Sequence, residues 1–447
     1  MNTAKKYDIA VIGSGPGGFS AAVRAAQLGK KVVLIEKDLT GGTCLNCGCI
    51  PTKFLWQALK TKQKIQKSYE YGFKANLEPF SFSDIIDKKD KSISNIRKGM
   101  DMILASYDNI TVIKGAASFK SVNLLAIKSE TEILEISAEK IIIASGTKPA
   151  VIKGFEFNGQ NIISSTDVLN LRELPKNVLV IGGGAIGIEM ATIFSGFGSQ
   201  VTIAECEQQL LPGEDAEVSA EIIKNLQRQG VEVLTSCMNA LNSINAYEKV
   251  LIVTGRVPAK ELSLESIGIE TDKKGFIKTD DYCKTNIENI YAVGDIAGKN
   301  LLAYTAQNEG VIAAENAVNE NKSKIDDLII PLAVFSNPPA ASVKLKDFSN
   351  YGNFVSGKFP FTASGRAFIE NERSGFIKCA ADKNTGKPLA FWIIGVHADE
   401  LINTAAQILK IGEAPARESM FHPSFSEGLL NAYEDAFGKC TEIMKRK

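Results

Sequence analysis

One local pattern occurs twice in this chain of 447 residues. Residues 7–13 form an apolar, β-branched run, which is followed by a glycine-rich turn, a helical pattern and a second apolar run ending at an acid. Residues 178–205 repeat that order. Strand, tight turn, helix and strand are typical of a βαβ unit in a parallel sheet. The duplication therefore predicts two such units, and chance recurrence is the alternative.

Both turns carry the spacing G-x-G-x-x-G. The first glycine permits a tight turn, the second lets a pyrophosphate approach the backbone, and the third allows close helix packing. An acid ends the second strand of each copy, where a carboxylate can accept hydrogen bonds from a ribose. The residues are Gly13, Gly15, Gly18 and Glu36 in the first copy and Gly182, Gly184, Gly187 and Glu205 in the second. We expect two dinucleotide sites rather than two glycine-rich structural turns.

The second site is predicted to prefer NAD. No arginine lies within the ten residues after Glu205. An acid without a nearby arginine suits the free 2′-hydroxyl of NAD better than the 2′-phosphate of NADP. Two dinucleotides in one chain indicate that one exchanges electrons with the other.

The stretch GGTCLNCGCIPTK, residues 41–53, carries three cysteines. If one helix runs through it, Cys44 and Cys49 lie on neighbouring turns of one face, whereas Cys47 points away. Two thiols held in this way can form and break a disulfide, and a position near a helix N-terminus favours the thiolate. The alternative is that all three are buried, unreactive side chains.

Composition restricts the class of protein. The formal net charge is zero and no cluster of lysine and arginine stands out, which argues against nucleic acid or an anionic membrane as a partner. Eight cysteines with one tight cluster indicate a catalytic pair in a reducing compartment, hence a cytoplasmic protein. The first strand begins at Tyr7, which leaves no room for a signal peptide, and no apolar run reaches membrane-spanning length. No metal site is predicted.

The rest of the chain alternates helices and strands. Two polar helices are expected over 54–72 and 84–105, followed by a β-meander over 110–146. An apolar strand then ends at Gly294 and Asp295, which places an acid where α/β sheets bind ligands, although a simple Gly-Asp turn is the alternative. Short strands after residue 330 and a helix over 399–411 indicate a separate α+β domain.

That last domain contains both histidines of the chain, His397 and His422. His422 lies in the segment FHPSFSE, five residues before Glu427. A histidine whose second ring nitrogen is held by a carboxylate is suited to act as a general base near neutral pH. A hydrogen-bonded structural histidine is the alternative, and a redox thiol pair that needs a base favours the catalytic role.

Taken together, these segments resemble the flavoprotein disulfide reductases, and most of all their dihydrolipoamide dehydrogenase branch. The resemblance is carried by IGSGPGGFSAAVRAAQLGKKVVLIEK and GGTCLNCGCIPTK, and then in order by IIIASGTKP, GGGAIGIE, VTGRVP, NIYAVGDIAG, LAYTAQNEG, FPFTASGRA and HPSFSE. It covers nearly the whole chain. It implies an α/β fold with two Rossmann-like domains, for FAD and NAD, and a C-terminal α+β dimerisation domain. The implied boundaries are 1–148 and 259–328 for FAD, 149–258 for a shortened NAD domain, and 329–447 for the interface domain.

The resemblance also implies roles for single residues. Cys49 is expected against the flavin in a charge-transfer contact, Cys44 as the thiol that meets the substrate, and Lys53 beside the flavin, paired with Glu189. His422 and Glu427 are expected to reach the disulfide of the other subunit, so the active unit is a homodimer. Further FAD-binding residues are Gly13, Gly15, Gly18, Glu36, Gly42, Thr43, Ala117, Ser145, Gly146, Asp295 and Ala303; NAD-binding residues are Gly182, Gly184, Gly187, Glu189, Glu205 and Gly255.

The implied reaction is oxidation of a protein-bound dihydrolipoyl group to lipoyl, with reduction of NAD⁺ to NADH. The implied partner is a lipoyl-bearing acyltransferase or the lipoyl protein of glycine cleavage. Another NAD(P)H-dependent disulfide reductase, of the glutathione type, or a mercuric ion reductase is the enzymatic alternative. Glu205 argues against the former, and Cys440 as the single cysteine near the C-terminus argues against the latter.

Four features depart from the family pattern. Cys47 stands where a non-thiol residue is usual, so a competing Cys44–Cys47 disulfide is conceivable. The segment 231–250 lacks most of a β-hairpin, which predicts a trimmed NAD domain and leaves open a non-catalytic member with impaired NAD binding. Pro339 replaces a usual glutamate, as in the glutathione reductase branch. Ser424 replaces a usual threonine and keeps the hydroxyl.

Overall fold

A computed structural model of the chain describes residues 4–259, 261–319, 322–326 and 329–444. The predicted domain boundary after residue 328 lies outside these residues. The helices are α1 (Pro16–Gln27), α2 (Gly42–Cys47), α3 (Cys49–Gln66), α4 (Phe82–Ala105), α5 (Ala185–Phe197), α6 (Ala216–Arg228), α7 (Ala303–Asn319), α8 (Gly365–Ile369), α9 (Ala398–Ile411) and α10 (Glu427–Ala436).

The strands form three main sheets and one short ribbon. They are β1 (Lys5–Ile12), β2 (Val32–Glu36), β3 (Ile110–Lys114), β4 (Ala116–Ser121), β5 (Leu124–Lys128), β6 (Ile133–Ile143), β7 (Thr147–Pro149), β8 (Ile162–Ile163), β9 (Asn177–Ile181), β10 (Gln200–Ala204), β11 (Glu232–Leu234), β12 (Lys249–Ile252), β13 (Arg256–Pro258), β14 (Ile290–Ala292), β15 (Leu332–Val334), β16 (Ala340–Lys344), β17 (Phe354–Pro360), β18 (Phe376–Asp382) and β19 (Pro388–Ile394).

The first sheet has a parallel half and an antiparallel half. Its order is β3-β2-β1-β6-β5-β4, and β14 pairs with β6 from a distant part of the chain. Strands β1, β2, β3, β6 and β14 run parallel, whereas β4, β5 and β6 form an antiparallel meander. The expectation of one meander over 110–146 is therefore wrong at its start. Strand β3 completes the parallel half by pairing with β2, because it follows the long crossover helix α4.

Helices α1 and α7 cross closely on this sheet. A Cβ added at Gly310 would lie 2.1 Å from the carbonyl oxygen of Gly17, so no larger residue fits at that crossing. After residue 259 the chain thus returns to the first sheet, to which it adds strand β14 and the covering helix α7.

The second sheet repeats the parallel design. Its order is β11-β10-β9-β12-β8, and every pair in it is parallel. Only a short 3₁₀ helix, Ala240–Ala246, joins β11 to β12. Its side chains Leu241 and Ile244 pack with Tyr247 against the face opposite α5. The sequence indicated that the segment 231–250 lacks most of a β-hairpin. In the structure this 3₁₀ helix makes the connection from β11 to β12.

The third sheet is antiparallel in the order β15-β16-β19-β18-β17 and packs against α9 and α10. The expected α+β domain is therefore present, and α9 matches the predicted helix. One large core joins this region to the second sheet and to α3 and α4 through Leu59, Phe194 and Trp392. Within the described residues, no helix is both long and apolar enough to cross a membrane.

Candidate active site

The cysteine stretch folds into two helices. No single helix runs through it, because α2 ends at Cys47 and α3 begins at Cys49, with Gly48 between them in a non-helical conformation. A Cβ added at Gly48 would lie 2.9 Å from the carbonyl oxygen of Thr43. The break therefore requires a glycine and places Cys49 at the first position of α3, where the helix dipole favours a thiolate.

Cys44 and Cys49 still meet across this break. The Cys44 thiol donates a hydrogen bond to the sulfur of Cys49, and this donated bond, together with burial, raises the pKa of Cys44 well above its usual range. The same hydrogen bond lowers the pKa of Cys49 to about 7; burial opposes this change, and the Lys53 ammonium supports it. One thiol and one thiolate at neutral pH are the reduced form that a redox disulfide needs.

Lys53 links this pair to the second sheet. Its Nζ lies 2.9 Å from Glu189 Oε1 and 3.0 Å from Oε2. Glu189, on α5, is only 5% exposed. The expected Lys53–Glu189 pair is therefore present. Because this carboxylate is engaged by Lys53, a role of Glu189 in NAD binding stays a prediction.

Cys47 faces a different environment. Its thiol is hydrogen-bonded with the hydroxyls of Thr166 and Thr43, and burial raises its pKa. Cys44, in contrast, is hydrogen-bonded to Cys49, which favours Cys49 over Cys47 as its partner.

The amino end of α2 lies against the first glycine turn. The N–H of Gly41 donates to the carbonyl oxygen of Ser14 at 3.1 Å, and a Cβ added at Gly42 would lie 2.8 Å from the Cα of Gly15. Thr43 follows as the second residue of α2. The helix that carries Cys44 therefore begins in direct contact with the first predicted dinucleotide site.

That turn has room for a ligand at one glycine only. A Cβ added at Gly18 would lie 1.8 Å from the Gly13 carbonyl oxygen, whereas one added at Gly15 would meet no heavy atom within 4 Å. Gly13 itself has φ +98°. Beside it, the buried Oγ of Ser145 has no hydrogen-bond partner among the described residues. An open backbone and an unsatisfied hydroxyl are what a bound pyrophosphate would require.

The Glu36 carboxylate closes the other side of this turn. Its Oε2 accepts from both the N–H and the Oγ–H of Ser14 at 2.7 Å, and its Oε1 accepts from the N–H of Asp38 at 2.9 Å. Glu36 ends β2 as the sequence predicts. Ser14, which no sequence argument singled out, is thus the residue that orients the acid.

The remaining FAD candidates surround the same sheet edge. Asp295 Oδ2 accepts from Thr147 Oγ1 at 2.8 Å, and Arg256 Nε donates to that same Thr147 oxygen at 2.7 Å. Gly146 precedes Thr147 with φ +68°. Ala303 begins α7, and Ala117 lies in β4 as a buried core residue. Contact of Ala117 with a cofactor stays a prediction.

The second glycine turn repeats the first. Gly182 has φ +117°, and a Cβ added at Gly187 would lie 2.0 Å from the Gly182 carbonyl oxygen, whereas Gly184 again faces open space. Glu205 directly follows the neighbouring strand β10, and its Oε2 accepts from the N–H of Gly183 at 2.6 Å. Burial alone would raise the pKa of Glu205, but the N–H groups of Glu207 and Gly183 hold it below its ordinary value.

Gly255, the last NAD candidate, follows β12 with φ +147°, and its carbonyl accepts from the N–H of Ala150 at 3.0 Å. It therefore lies at the connection between the two dinucleotide sheets, where β13 pairs with β7.

His422 and Glu427 form the expected dyad. His422 Nδ1 lies 2.8 Å from Glu427 Oε1, and the other carboxylate oxygen accepts from the N–H of Ser424 at 2.7 Å. The imidazole is 79% exposed, although Glu427 holds it firmly. Among the described residues, no hydrogen bond or ion pair links this dyad to Cys44 or Cys49.

Two aromatic residues near Lys53 were not found from the sequence. The Phe335 ring centroid lies 4.5 Å from Lys53 Nζ, and Trp56 meets that ring edge-on at 5.2 Å. Phe335 lies in no motif with a chemical role. The one sequence signal near it is Pro339, four residues later in the segment FSNPP.

Comparison with known proteins agrees with this geometry. Residues 7–310 match the family described as pyridine nucleotide-disulphide oxidoreductase, and residues 330–433 match its dimerisation domain. The chain is 35% identical to a dihydrolipoyl dehydrogenase of Geobacillus stearothermophilus, over 98% of this chain and 97% of that protein. It is 36% identical to one of Bacillus subtilis, over 98% of each.

Solved structures give the same result. The Cu(II) complex of RclA, an HOCl-induced flavoprotein disulfide reductase of Escherichia coli, superposes with a TM-score of 0.85 at 30% identity, covering 96% of this chain and 99% of that one. LpdA of Mycobacterium tuberculosis, at 22% identity and a TM-score of 0.85 with the same coverage, shares the fold. The predicted fold class and the predicted resemblance are both confirmed, and the chain belongs to the pyridine nucleotide-disulphide oxidoreductase family.

Proposed function

We propose that this protein is a dihydrolipoyl dehydrogenase, which oxidises a dihydrolipoyl group to lipoyl and reduces NAD⁺ to NADH. The observation that carries the proposal is the Cys44–Cys49 pair, with a thiolate at Cys49 near neutral pH, built against the first dinucleotide turn. The full-length similarity to proteins of that name supports the choice of substrate.

Two dinucleotide cofactors fit the residues present. The open space at Gly15 and the unsatisfied hydroxyl of Ser145 suit the pyrophosphate of FAD, and the open space at Gly184 with the acid Glu205 suits NAD. FAD, when bound, takes up the electron pair of the dithiol, and NAD⁺ carries it away as hydride.

The chain's own groups perform the thiol chemistry. His422 takes the proton from one substrate thiol, and the resulting thiolate attacks the Cys44 sulfur of the enzyme disulfide. The Cys44–Cys49 bond breaks, and Cys49 leaves as the thiolate that its pKa of about 7 favours. The second substrate thiol then displaces Cys44 from the mixed disulfide and gives its proton to the departing Cys44 sulfur. The substrate is thereby oxidised to a disulfide, and the reduced enzyme holds the Cys44 thiol, the Cys49 thiolate and the first proton on His422.

This sequence requires His422 to reach Cys44 of another subunit. The dimerisation domain over residues 330–433 supports a homodimer. The exposed imidazole, fixed by Glu427, is arranged to act on a group outside its own chain. We therefore assign the base to the partner subunit's active site.

The partner in the cell is proposed to be a lipoyl-bearing acyltransferase or the lipoyl protein of glycine cleavage. The full-length similarity to proteins named dihydrolipoyl dehydrogenase supports this proposal. The free thiols support a cytoplasmic location.

The test is anaerobic titration of the FAD-loaded protein with dihydrolipoamide, followed by NAD⁺. We expect the flavin spectrum to change with dihydrolipoamide and to recover as NADH absorbance appears. A flavin that ignores dihydrolipoamide but responds to another disulfide or to a metal ion would keep the fold and overturn the substrate. Cu(II) belongs among the metal ions tested, since RclA has been solved with it.

The base is tested by His422→Ala in stopped flow. We expect reduction of the enzyme by dihydrolipoamide to slow by about 10²- to 10⁴-fold, because the substrate must then lose its proton to water. Reduction by NADH should change little. Equal slowing of both half-reactions would contradict the role assigned to His422.

A further inference from the structure

The face of α3 below the thiol pair is covered by a segment of the interface domain. Lys53, Trp56, Lys60 and Gln63 are spaced by three, four and three residues and so lie on one stripe of the helix. The segment Phe335–Asn337 lies along this stripe. Trp56 Nε1 donates to the carbonyl of Ser336 at 3.0 Å, and Asn337 Nδ2 donates to Gln63 Oε1 at 3.3 Å.

Phe335 makes two contacts at the same ion pair. Its ring face lies 4.5 Å from Lys53 Nζ, and its backbone N–H donates to Glu189 Oε1 at 3.1 Å. One residue therefore holds the cation through its side chain and the carboxylate through its main chain. Trp56 packs edge-on against the ring at 5.2 Å and prevents it from turning away.

The position of Lys53 matters because Lys53 and Glu189 have opposite effects on the pKa of Cys49. Lys53 follows Cys49 by one helical turn, and its positive charge favours the Cys49 thiolate, whereas the charge of Glu189 disfavours it. A lysine side chain has four rotatable bonds and can satisfy a carboxylate in many geometries. A π face on one side of the ammonium restricts that freedom.

We propose that Phe335 is a positioning residue for the redox pair: its ring holds the Lys53 ammonium between Glu189 and Cys49. The interface domain thereby sets the charge next to the thiols, although it contributes no group that touches them. The inference rests on the proposed redox role of Cys49. Its consequence is a lower thiolate fraction at Cys49 when the ring is removed.

The test measures alkylation of each cysteine in the reduced, FAD-loaded protein. The protein is reduced with dithiothreitol, freed of it under anaerobic conditions and treated with iodoacetamide between pH 5.5 and 9. Peptide mass spectrometry then reports the rate at Cys49 separately from Cys44 and Cys47. We expect Phe335→Leu to slow Cys49 alkylation at pH 7 by about 1.5- to threefold, because loss of one cation–π contact changes the ionisation equilibrium by about two- to fivefold and Cys49 is about half ionised at this pH. The midpoint of the pH profile should move to higher pH.

Three variants separate this role from a packing role. Phe335→Tyr keeps the ring face and should retain the wild-type profile. Phe348→Leu removes a ring that packs against Phe354 and Trp392 and should also leave Cys49 unchanged. In a Lys53→Met background, Phe335→Leu should add nothing, because the group through which the ring acts is gone.

Two outcomes overturn the proposal. One is a wild-type Cys49 profile in a folded Phe335→Leu protein; the other is equal slowing by that change with and without Lys53. If the leucine variant does not fold, Phe335→Met, which fills a similar volume without a π face, takes its place. Because alkylation needs no dihydrolipoamide, a failure here is distinct from a failure of the proposed substrate.

Discussion

At the scale of single residues, the chemistry depends on the unequal state of two thiols. Cys44 donates a hydrogen bond and stays protonated, whereas Cys49 accepts it and ionises near pH 7. The helix break at Gly48 makes Cys49 the first residue of α3 while Cys44 stays on α2, and the two thiols meet across it as hydrogen-bond donor and acceptor. Lys53, one turn further along α3, also lowers the pKa of Cys49.

Replacing Cys44 by alanine should therefore raise the pKa of Cys49 from about 7 toward its ordinary value of 9.0, because the strongest group that lowers it is lost. At pH 7 the thiolate fraction should fall from about half to a few per cent. The pH dependence of Cys49 alkylation in the reduced protein measures this. An unchanged midpoint would show that Lys53 and the helix end suffice without Cys44.

The depressed pKa of Cys49 also couples to stability. A group whose pKa is lower in the folded than in the unfolded state stabilises the fold at high pH. For the reduced wild type, this contribution is complete above about pH 9 and is lost as the pH falls through about 7. It should be smaller in Cys44→Ala, which chemical denaturation of the reduced proteins at pH 6.5 and 9 can measure.

Cys47 should be dispensable for disulfide formation. Its thiol is directed to Thr166 and Thr43, so Cys47→Val should retain a Cys44–Cys49 disulfide in the oxidised protein. Peptide mapping under non-reducing conditions checks this. A disulfide from Cys44 to Cys47 in the wild type would contradict the arrangement described here.

At the scale of elements, each glycine turn contains one position open to a ligand and one closed by the fold. Gly184 has φ −76°, which any residue can adopt, and open space beyond it, whereas a Cβ at Gly187 would collide with the Gly182 carbonyl. The two positions lie three residues apart in one turn. They therefore offer a matched pair of alanine substitutions.

Gly184→Ala should leave thermal stability within experimental error but weaken NADH binding by about tenfold or more, since its methyl group occupies the space for the pyrophosphate. Gly187→Ala should instead lower the stability of the domain by about 1–3 kcal/mol, the usual cost of overpacking. Calorimetry of NADH binding and thermal unfolding separate the two effects. Equal loss of stability in both variants would remove the reason for placing the pyrophosphate at Gly184.

The elements were predictable where a repeated pattern specified them. Both strand–turn–helix units, their glycines and their terminal acids follow from spacing, because each residue has a local backbone task. The helix break at Gly48 was not predictable, since it depends on contact with Thr43 after folding. Phe335 was missed because its contact with Lys53 joins two residues more than 280 positions apart in the chain, and nothing in the local sequence indicates that contact.

At the scale of the whole molecule, we infer that the active site is divided between two subunits. The thiol pair lies on α2 and α3, whereas His422 lies in the exposed loop before α10 and Glu427 is the first residue of that helix. The family's dimerisation domain provides a reason for this separation. A complete site would then consist of thiols from one subunit and a base from its partner.

Hybrid dimers test this division. Cys44→Ser and His422→Ala homodimers should both have little dihydrolipoamide-dependent NAD⁺ reduction. A hybrid of the two contains one intact site, formed by Cys44 of one chain and His422 of the other. When an equal mixture is refolded, about half of the dimers are hybrids, and each hybrid has one working site of two. The mixture should therefore recover about a quarter of wild-type activity. If thiols and base acted within one chain, every site in the hybrid would lack one of them and the mixture would stay inactive. Differently tagged subunits allow the hybrid to be isolated, and its activity per dimer should be about half that of wild type.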